Sequence, residues 1–208
     1  MSSVKLSASL RSSLERAVHR YEQNVDRAAE YLVGRGLDAE VAATYRLGYV
    51  TEPEPGHDQY TGRLSIPYLS PAGVVGLRFR ALDDSEPKYL GLPGAQTGIY
   101  NADALHNPSN IIGITEGEFD SVVLTSKCGI PAVGIPGAQS WKPHYARCLQ
   151  DYERVLVFCD GDKPGRELGK TVAREIPGAV VIHLPDGEDV NSVYLKEGPQ
   201  WLRKRAGL

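Results

Sequence analysis

Residues 111–120 read IIGITEGEFD, and residues 154–162 read RVLVFCDGD. Each is an apolar run that ends abruptly in acids. Two further runs, PAVGI (131–135) and AVVIHL (179–184), share that apolar character, and helical stretches separate all four. Near-continuous apolar strands alternating with helices predict a parallel α/β sheet with helices on both faces. In such a sheet ligands bind beyond the C-terminal ends of the strands. That is where the acids fall: Glu116 and Asp120 after the first run, Asp160 and Asp162 after the third, and Asp186, Glu188 and Asp189 after the fourth.

Carboxylates gathered at one edge repel one another unless a cation sits between them. Mg²⁺ prefers hard oxygens and usually takes one or two carboxylates plus substrate phosphates. Two such ions ~3.5–4 Å apart stabilise both the attacking and the leaving oxygen in phosphoryl transfer. Asp-Gly after a strand is also ordinary turn chemistry, and Asp162 is equally placed to cap a helix beginning near Pro164. Acids at three strand ends favour the metal site over the cap.

Upstream, Leu10, Leu14, Val18, Tyr21, Val25, Ala28 and Leu32 fall at helical spacing, predicting one long helix or two broken near Asn24. Gly34-Arg35-Gly36 ends that pattern, and Asp38 is placed to cap a second helix through about Arg46. The runs RLSIPYL and VVGLRFRAL around Ser70-Pro71-Ala72-Gly73 predict a β-hairpin. The domain organisation expected is a small α+β subdomain of helices plus hairpin over 1–109, then the parallel-sheet domain over 110–208.

Composition excludes several classes. With 41% hydrophobic and 24% charged residues, the 208-residue chain has the profile of a globular domain, and no apolar run approaches a membrane span. The start, MSSVKLSASLRSSLER, lacks the apolar core of a signal peptide, so a cytoplasmic location is expected. The net charge of −3 is spread evenly, −2 over 1–109 and −1 over 110–208, so phosphate binding must rest on local geometry or metal rather than bulk charge. Cys128, Cys148 and Cys159 stand far apart, which suggests neither a zinc site nor a disulfide framework.

The lone Glu of EGEFD after one strand and DGD after a later one resemble the Toprim domain of bacterial-type primases, topoisomerases, recombination mediators and certain nucleases. In those families the Glu and two Asp manage divalent metal and phosphate. The resemblance makes Glu116, Asp160 and Asp162 the expected catalytic and metal-binding set, with Asp120 and Asp189 in support and Mg²⁺ or Mn²⁺ as cofactor. The first half narrows the family. AAEYLVGRGLDAEVAATYRLGYV is similar to the helical lead-in of the bacterial-type DNA primase catalytic core, and GRLSIPYLSPAGVVGLRFRAL to its hairpin. Glu86-Pro87-Lys88-Tyr89-Leu90 is similar to its PKYL element, and LPDGEDVNSVY to its LP-x-G-x-DPD segment, in the family's order across residues 26–198.

That resemblance implies RNA primer synthesis on single-stranded DNA from ribonucleoside triphosphates, with Arg63, Arg80 and Lys88 contacting template or nucleotide phosphates. Alternation by itself places Arg78 and Arg80 on a solvated strand face; the resemblance singles out Arg80 and leaves Arg78 there. Two positions depart from the family: Asn101 stands where it usually has Lys, and Asn191 replaces the second Asp of the DPD segment. The expectation is a reduced, phage-like core without a zinc-binding domain, with a separate zinc-bearing protein and a replicative helicase as candidate partners. Its rivals are a Toprim nuclease using the same carboxylates and a non-catalytic nucleic-acid-binding module.

Overall fold

A computed structural model describes residues 6–94, 98–137 and 140–208. The chain divides into two compact units, 1–96 and 97–208.

In the first unit the helical stripe breaks where Asn24 interrupts it. Helix α1 (Ala8–Glu22) is opened by Ser7, whose hydroxyl accepts the Leu10 N–H at 3.2 Å. A 3₁₀ turn at Val25–Ala28 leads into α2 (Ala29–Gly34), and Asp38 caps α3 (Ala39–Thr44) by accepting the Val41 N–H at 2.9 Å. An antiparallel sheet follows in the order β1 (Gly48–Tyr49), β2 (Arg63–Ser70), β3 (Gly73–Ala81), β4 (Tyr89–Gly91). Leu14, Ala17, Val18 and Tyr21 of α1 bury against Val50, Tyr60, Val74, Leu77 and Phe79. Glu15 fixes the helix to the hairpin by accepting the Val74 N–H at 2.8 Å and pairing with Arg46 at 2.8 Å.

In the second unit all four apolar runs form strands: β5 (Ile111–Thr115), β6 (Ala132–Gly134), β7 (Arg154–Cys159) and β8 (Val180–His183). They pair in parallel in the order β6-β5-β7-β8. The connecting helices are α4 (Glu118–Cys128), α5 (Pro143–Leu149) and α6 (Lys163–Glu175), followed by α7 (Val190–Glu197) and α8 (Pro199–Arg205). Ile112, Ile114, Val155, Val157 and Cys159 pack on one face with Tyr145 and Leu149 of α5 and Leu168 and Val172 of α6. The other face belongs to α4: a Cβ on Gly113 would touch Leu124 of that helix at 3.4 Å. Contacts of α4 with both α7 and α8 complete that layer.

This unit starts before Asn110, earlier than the apolar pattern places it. Tyr100 exchanges backbone hydrogen bonds with Gly134 of β6, and Ala104 lies in the core beneath the sheet. A single bridging residue and a short 3₁₀ turn carry no periodicity for a sequence reading to detect. Among the described residues no helix is long and apolar enough to cross a membrane.

Candidate metal and nucleotide site

From β5 the chain passes first to β6 on one side and only afterwards to β7 and β8 on the other. The topological switch point therefore falls between β5 and β7, the position at which open α/β sheets form their ligand crevice. Glu116 follows β5 directly and Asp160 follows β7 directly, on strands paired from Ile111↔Arg154 to Ile114↔Val157. Helices α4, α6 and α7 all begin at this edge, and helix N-termini favour anions there.

Alternation along the strands sends the two acids to different sides. Glu116 continues the parity of Ile112 and Ile114 and lies against the first turn of α6. A Cβ on Gly165 would sit 2.4 Å from Glu116 Oε1 and 2.5 Å from the Asp160 carbonyl oxygen. Asp160 has the opposite parity to Cys159 and feels Asp120 of α4 and Asp189 at the start of α7.

Each acid is partly buried, with one oxygen closed off from water. Glu116 Oε1 and Asp160 Oδ1 are buried and have no hydrogen-bond partner among the described residues. Burial, and then the charge of Asp162, push the Glu116 carboxyl up to about 7, although the Asp160 backbone N–H opposes the shift. Burial followed by Asp120, Glu116, Asp189 and Asp162 pushes Asp160 up to about 9. Buried acids that destabilise each other's charge are what a bound cation relieves.

The remaining acids have structural work as well. Asp162 caps α6, its Oδ1 accepting the Gly165 N–H at 2.8 Å, so the capping geometry weighed from the sequence is present. Asp189 caps α7 in a reciprocal box with Ser192. Asp120 is buried, and its Oδ1 accepts the Asn191 backbone N–H at 3.0 Å. Asn191 is itself buried in the first turn of α7, where it ties that turn to α4.

The acids fit a hard divalent ion: oxygen donors only, two of them carrying a buried oxygen with no hydrogen-bond partner among the described residues, at an edge where phosphates are favoured. Among the described residues no three Asp, Glu, His or Cys side chains close a metal shell by themselves.

The cations expected on the first unit divide. Lys88 is exposed. Arg63 is buried, and its guanidinium donates to the Pro87 carbonyl at 2.9 Å, bracing the turn that presents Lys88. Arg80 is buried beside Tyr89, donating to its hydroxyl, with the Tyr31 ring 5.2 Å away. Arg78 does not stand on a solvated face: it is partly buried, its Cζ 4.5 Å from the centre of the Tyr89 ring. Asn101 has a structural role. It adopts a left-handed backbone (φ 53°), and its amide donates to Thr125 Oγ1 at 3.1 Å and the Ala132 carbonyl at 2.8 Å. Asn101 shows no sequence signal for this role, because its partners Thr125 and Ala132 lie more than twenty residues away.

Residues 113–194, which carry all five candidate acids, match the Toprim-like family. The gene 57 protein of Mycobacterium phage D29 is 45% identical over 151 residues, covering 70% of this chain and 99% of that protein. The DNA primase of Neisseria meningitidis is 28% identical over 205 residues, covering 82% of this chain. The chain belongs to the Toprim family of bacterial-type primase cores. This Toprim chain spans 34% of the length of the Neisseria primase, so it corresponds to a part of that enzyme. Its fold is shared with the Aquifex aeolicus primase zinc-binding and RNA polymerase domains, at a TM-score of 0.81 and 23% identity over 98% of this chain and 62% of that one. It is shared also with a DnaG primase catalytic domain solved bound to single-stranded DNA, at a TM-score of 0.76 and 23% identity over 95% and 80% of the two chains.

Proposed function

We propose that this chain is the catalytic core of a DNA primase, adding ribonucleotides to a primer on a single-stranded DNA template. The observation that carries the reading is that Glu116 and Asp160 each hold one buried carboxylate oxygen with no hydrogen-bond partner among the described residues, at the switch point of a sheet where three helices begin. The similarity to bacterial primases, and a related catalytic domain bound to single-stranded DNA, support the template class.

Mg²⁺ or Mn²⁺, when bound, supplies positive charge that offsets the acids and the phosphate oxygens of the reacting nucleotide. Glu116 and Asp160, each just beyond the end of one of two adjacent strands, would hold that cation. Asp162 and Asp189 fix the first turns of α6 and α7, helix N-termini that would favour the phosphates. Asp120 is oriented by Asn191. The primer 3′-hydroxyl attacks the α-phosphate of the incoming ribonucleoside triphosphate. A phosphodiester bond forms as the bond to pyrophosphate breaks, and the hydroxyl proton is lost to water. Lys88 is the exposed cation available for template phosphates. Starting a primer requires two free nucleotides to be held together, an entropic cost that extension avoids. We assign that step to a separate zinc-bearing protein, with a replicative helicase as second partner.

The test is incorporation of labelled ribonucleotides onto an RNA primer annealed to single-stranded DNA, with and without Mg²⁺ or Mn²⁺. Metal-dependent extension that disappears in Glu116→Ala and Asp160→Ala is expected. Strand degradation without nucleotides would replace this reading with a nuclease, and metal-independent binding without incorporation would replace it with a binding module. Adding a zinc-bearing primase module should raise synthesis from free nucleotides and leave extension unchanged.

A further inference from the structure

Arg166 of α6 follows Gly165, the residue that closes on Glu116 and the Asp160 backbone. Its own N–H donates to the carbonyl of the Asp162 cap at 3.2 Å. Helical side chains slant toward the helix N-terminus, which carries the guanidinium back to the ligand edge of the sheet. There Nη1 donates to Asp186 Oδ1 at 3.1 Å. Asp186 stands at the tip of a tight turn: the Glu188 N–H donates to the Pro185 carbonyl at 3.0 Å, and Gly187 adopts the left-handed backbone (φ 77°) that such a turn needs. Two backbone hydrogen bonds fasten the turn to Gly161, between Asp160 and Asp162. Arg166 and Asp186 thus both flank the acids, each set by backbone contacts that do not depend on their ion pair. The pair itself is open, with side-chain exposures of 44% for Arg166 and 92% for Asp186. Such a pair adds little stability and is readily exchanged. The other acids of this loop are engaged differently, Glu188 with Lys196 and Asp189 as the cap of α7.

We propose that Arg166 binds the β- and γ-phosphates of the incoming ribonucleotide, and that Asp186 is the competing anion it leaves to do so. The exchange rests on the nucleotidyl-transfer reading above and gives roles to two residues which that reading does not use. A triphosphate arriving beside Glu116, Asp160 and Asp162 adds several negative charges to an edge that is already acidic, so it needs cationic groups beyond the metal. The contact to Asp186 uses a single guanidinium N–H. A phosphate can take two in parallel, in shorter and stronger charge-assisted bonds. Phosphate oxygens therefore displace a carboxylate held at a water-exposed turn. When pyrophosphate is released, Asp186 recovers the guanidinium, which favours departure of the product. Arg166 is the phosphate-binding group, and Asp186 acts only through it.

The two partners predict effects of opposite sign, which separates exchange from a brace between helix and turn. Both residues are exposed, so substitutions at either position keep the core intact. Binding of a fluorescent ATP analogue in Mg²⁺ is followed by anisotropy, with unlabelled ATP and AMP as competitors, beside KM and kcat for primer extension. Arg166→Ala should weaken ATP roughly tenfold or more, the scale of a lost hydrogen bond to a charged group. KM should rise in parallel, and AMP, which lacks both outer phosphates, should bind as before. Arg166→Lys should recover part of the loss, since it keeps the charge without the fork. Asp186→Asn should tighten ATP by up to about fivefold and strengthen inhibition by inorganic pyrophosphate. That gain should vanish in the double variant. Wild-type ATP affinity in Arg166→Ala, an equal loss for AMP, or weaker ATP binding in Asp186→Asn would overturn the exchange and leave the primase reading standing. The expected binding pattern in a chain that extends no primer would keep the exchange and remove the primase reading. A wild-type chain that binds no nucleotide would overturn both.

Discussion

A Cβ on Gly161 would lie 1.8 Å from the Pro185 carbonyl oxygen and 2.6 Å from its carbon. The strand end that carries Asp160 is thus joined backbone to backbone with the loop leading to α7. The Gly161 N–H donates to the Glu188 carbonyl at 2.8 Å, and the Gly187 N–H donates to the Gly161 carbonyl at 2.9 Å. Gly161→Ala must push this loop away and break both bonds. A loss of about 1–3 kcal/mol is expected from overpacking, together with a sharp fall in primer extension, since Asp189 moves with the loop. Thermal melts and the extension assay check it; an unchanged melting temperature would contradict the close approach.

Asp160 should cost stability when no cation is present. Its carboxyl, with Oδ1 buried, feels the charges of Asp120, Glu116 and Asp189. Asp160→Asn removes that repulsion at nearly constant volume, so the metal-free variant should melt higher than wild type. About 1 kcal/mol of relief corresponds to ~2–4 °C for a domain of this size. Added Mg²⁺ or Mn²⁺ should raise the melting temperature of wild type, by mass action on the folded state, and leave the variant unmoved. Equal metal-induced shifts in the two proteins would argue against Asp160 as a ligand.

Arg63 should behave as a brace rather than a phosphate contact. Its buried guanidinium holds the Pro87 carbonyl, and a hydrogen bond to a charged group contributes about 1.5–3 kcal/mol net. Arg63→Ala should lower stability, whereas Lys88→Ala should lower the salt slope of DNA binding and leave stability alone. Melting curves and salt-dependent anisotropy of the two variants separate the roles.

His57 gives the first unit a pH dependence of known sign. Its Nδ1 lies 2.7 Å from the Tyr21 hydroxyl, which also accepts the Glu54 N–H at 3.0 Å, and the rings of Tyr60 and Phe79 meet it edge-on. Burial lowers its pKa below 6.5, and the charges of Glu54 and Asp58 only partly oppose the shift. The folded state therefore favours the neutral ring. Its contribution to stability is complete above pH 6.5 and is lost as pH falls through the lower folded value. An NMR titration should place the His57 midpoint below 6.5, and His57→Asn should flatten the acid limb of the stability curve.

The parallel sheet was legible because its strands are apolar on both faces, and the runs at 111–115 and 154–159 became β5 and β7 residue for residue. The same reading found Glu116 and Asp160, since an acid that follows a buried strand stands at the ligand edge. Periodicity reports which face a residue occupies, not what covers that face. Alternation put Arg78 and Arg80 together, yet it carried no sign that Tyr89 would lie across both, or that Arg63 would be closed over by the Pro87 turn. Gly165 was only half legible: the Asp160 backbone that crowds it is five residues away, but Glu116, the other crowding group, follows a strand almost fifty residues earlier.

The pairing of β5 with β7 has a further consequence. Glu116 and Asp160 stand one residue beyond strands whose register is locked from Ile111↔Arg154 to Ile114↔Val157 inside the core. The spacing of the two acids is therefore inherited from a backbone ladder, not from the loops around it. Insertions, deletions or drift in the segments between the strands can remodel which polynucleotide reaches the acids, while the gauge that sets their separation stays fixed.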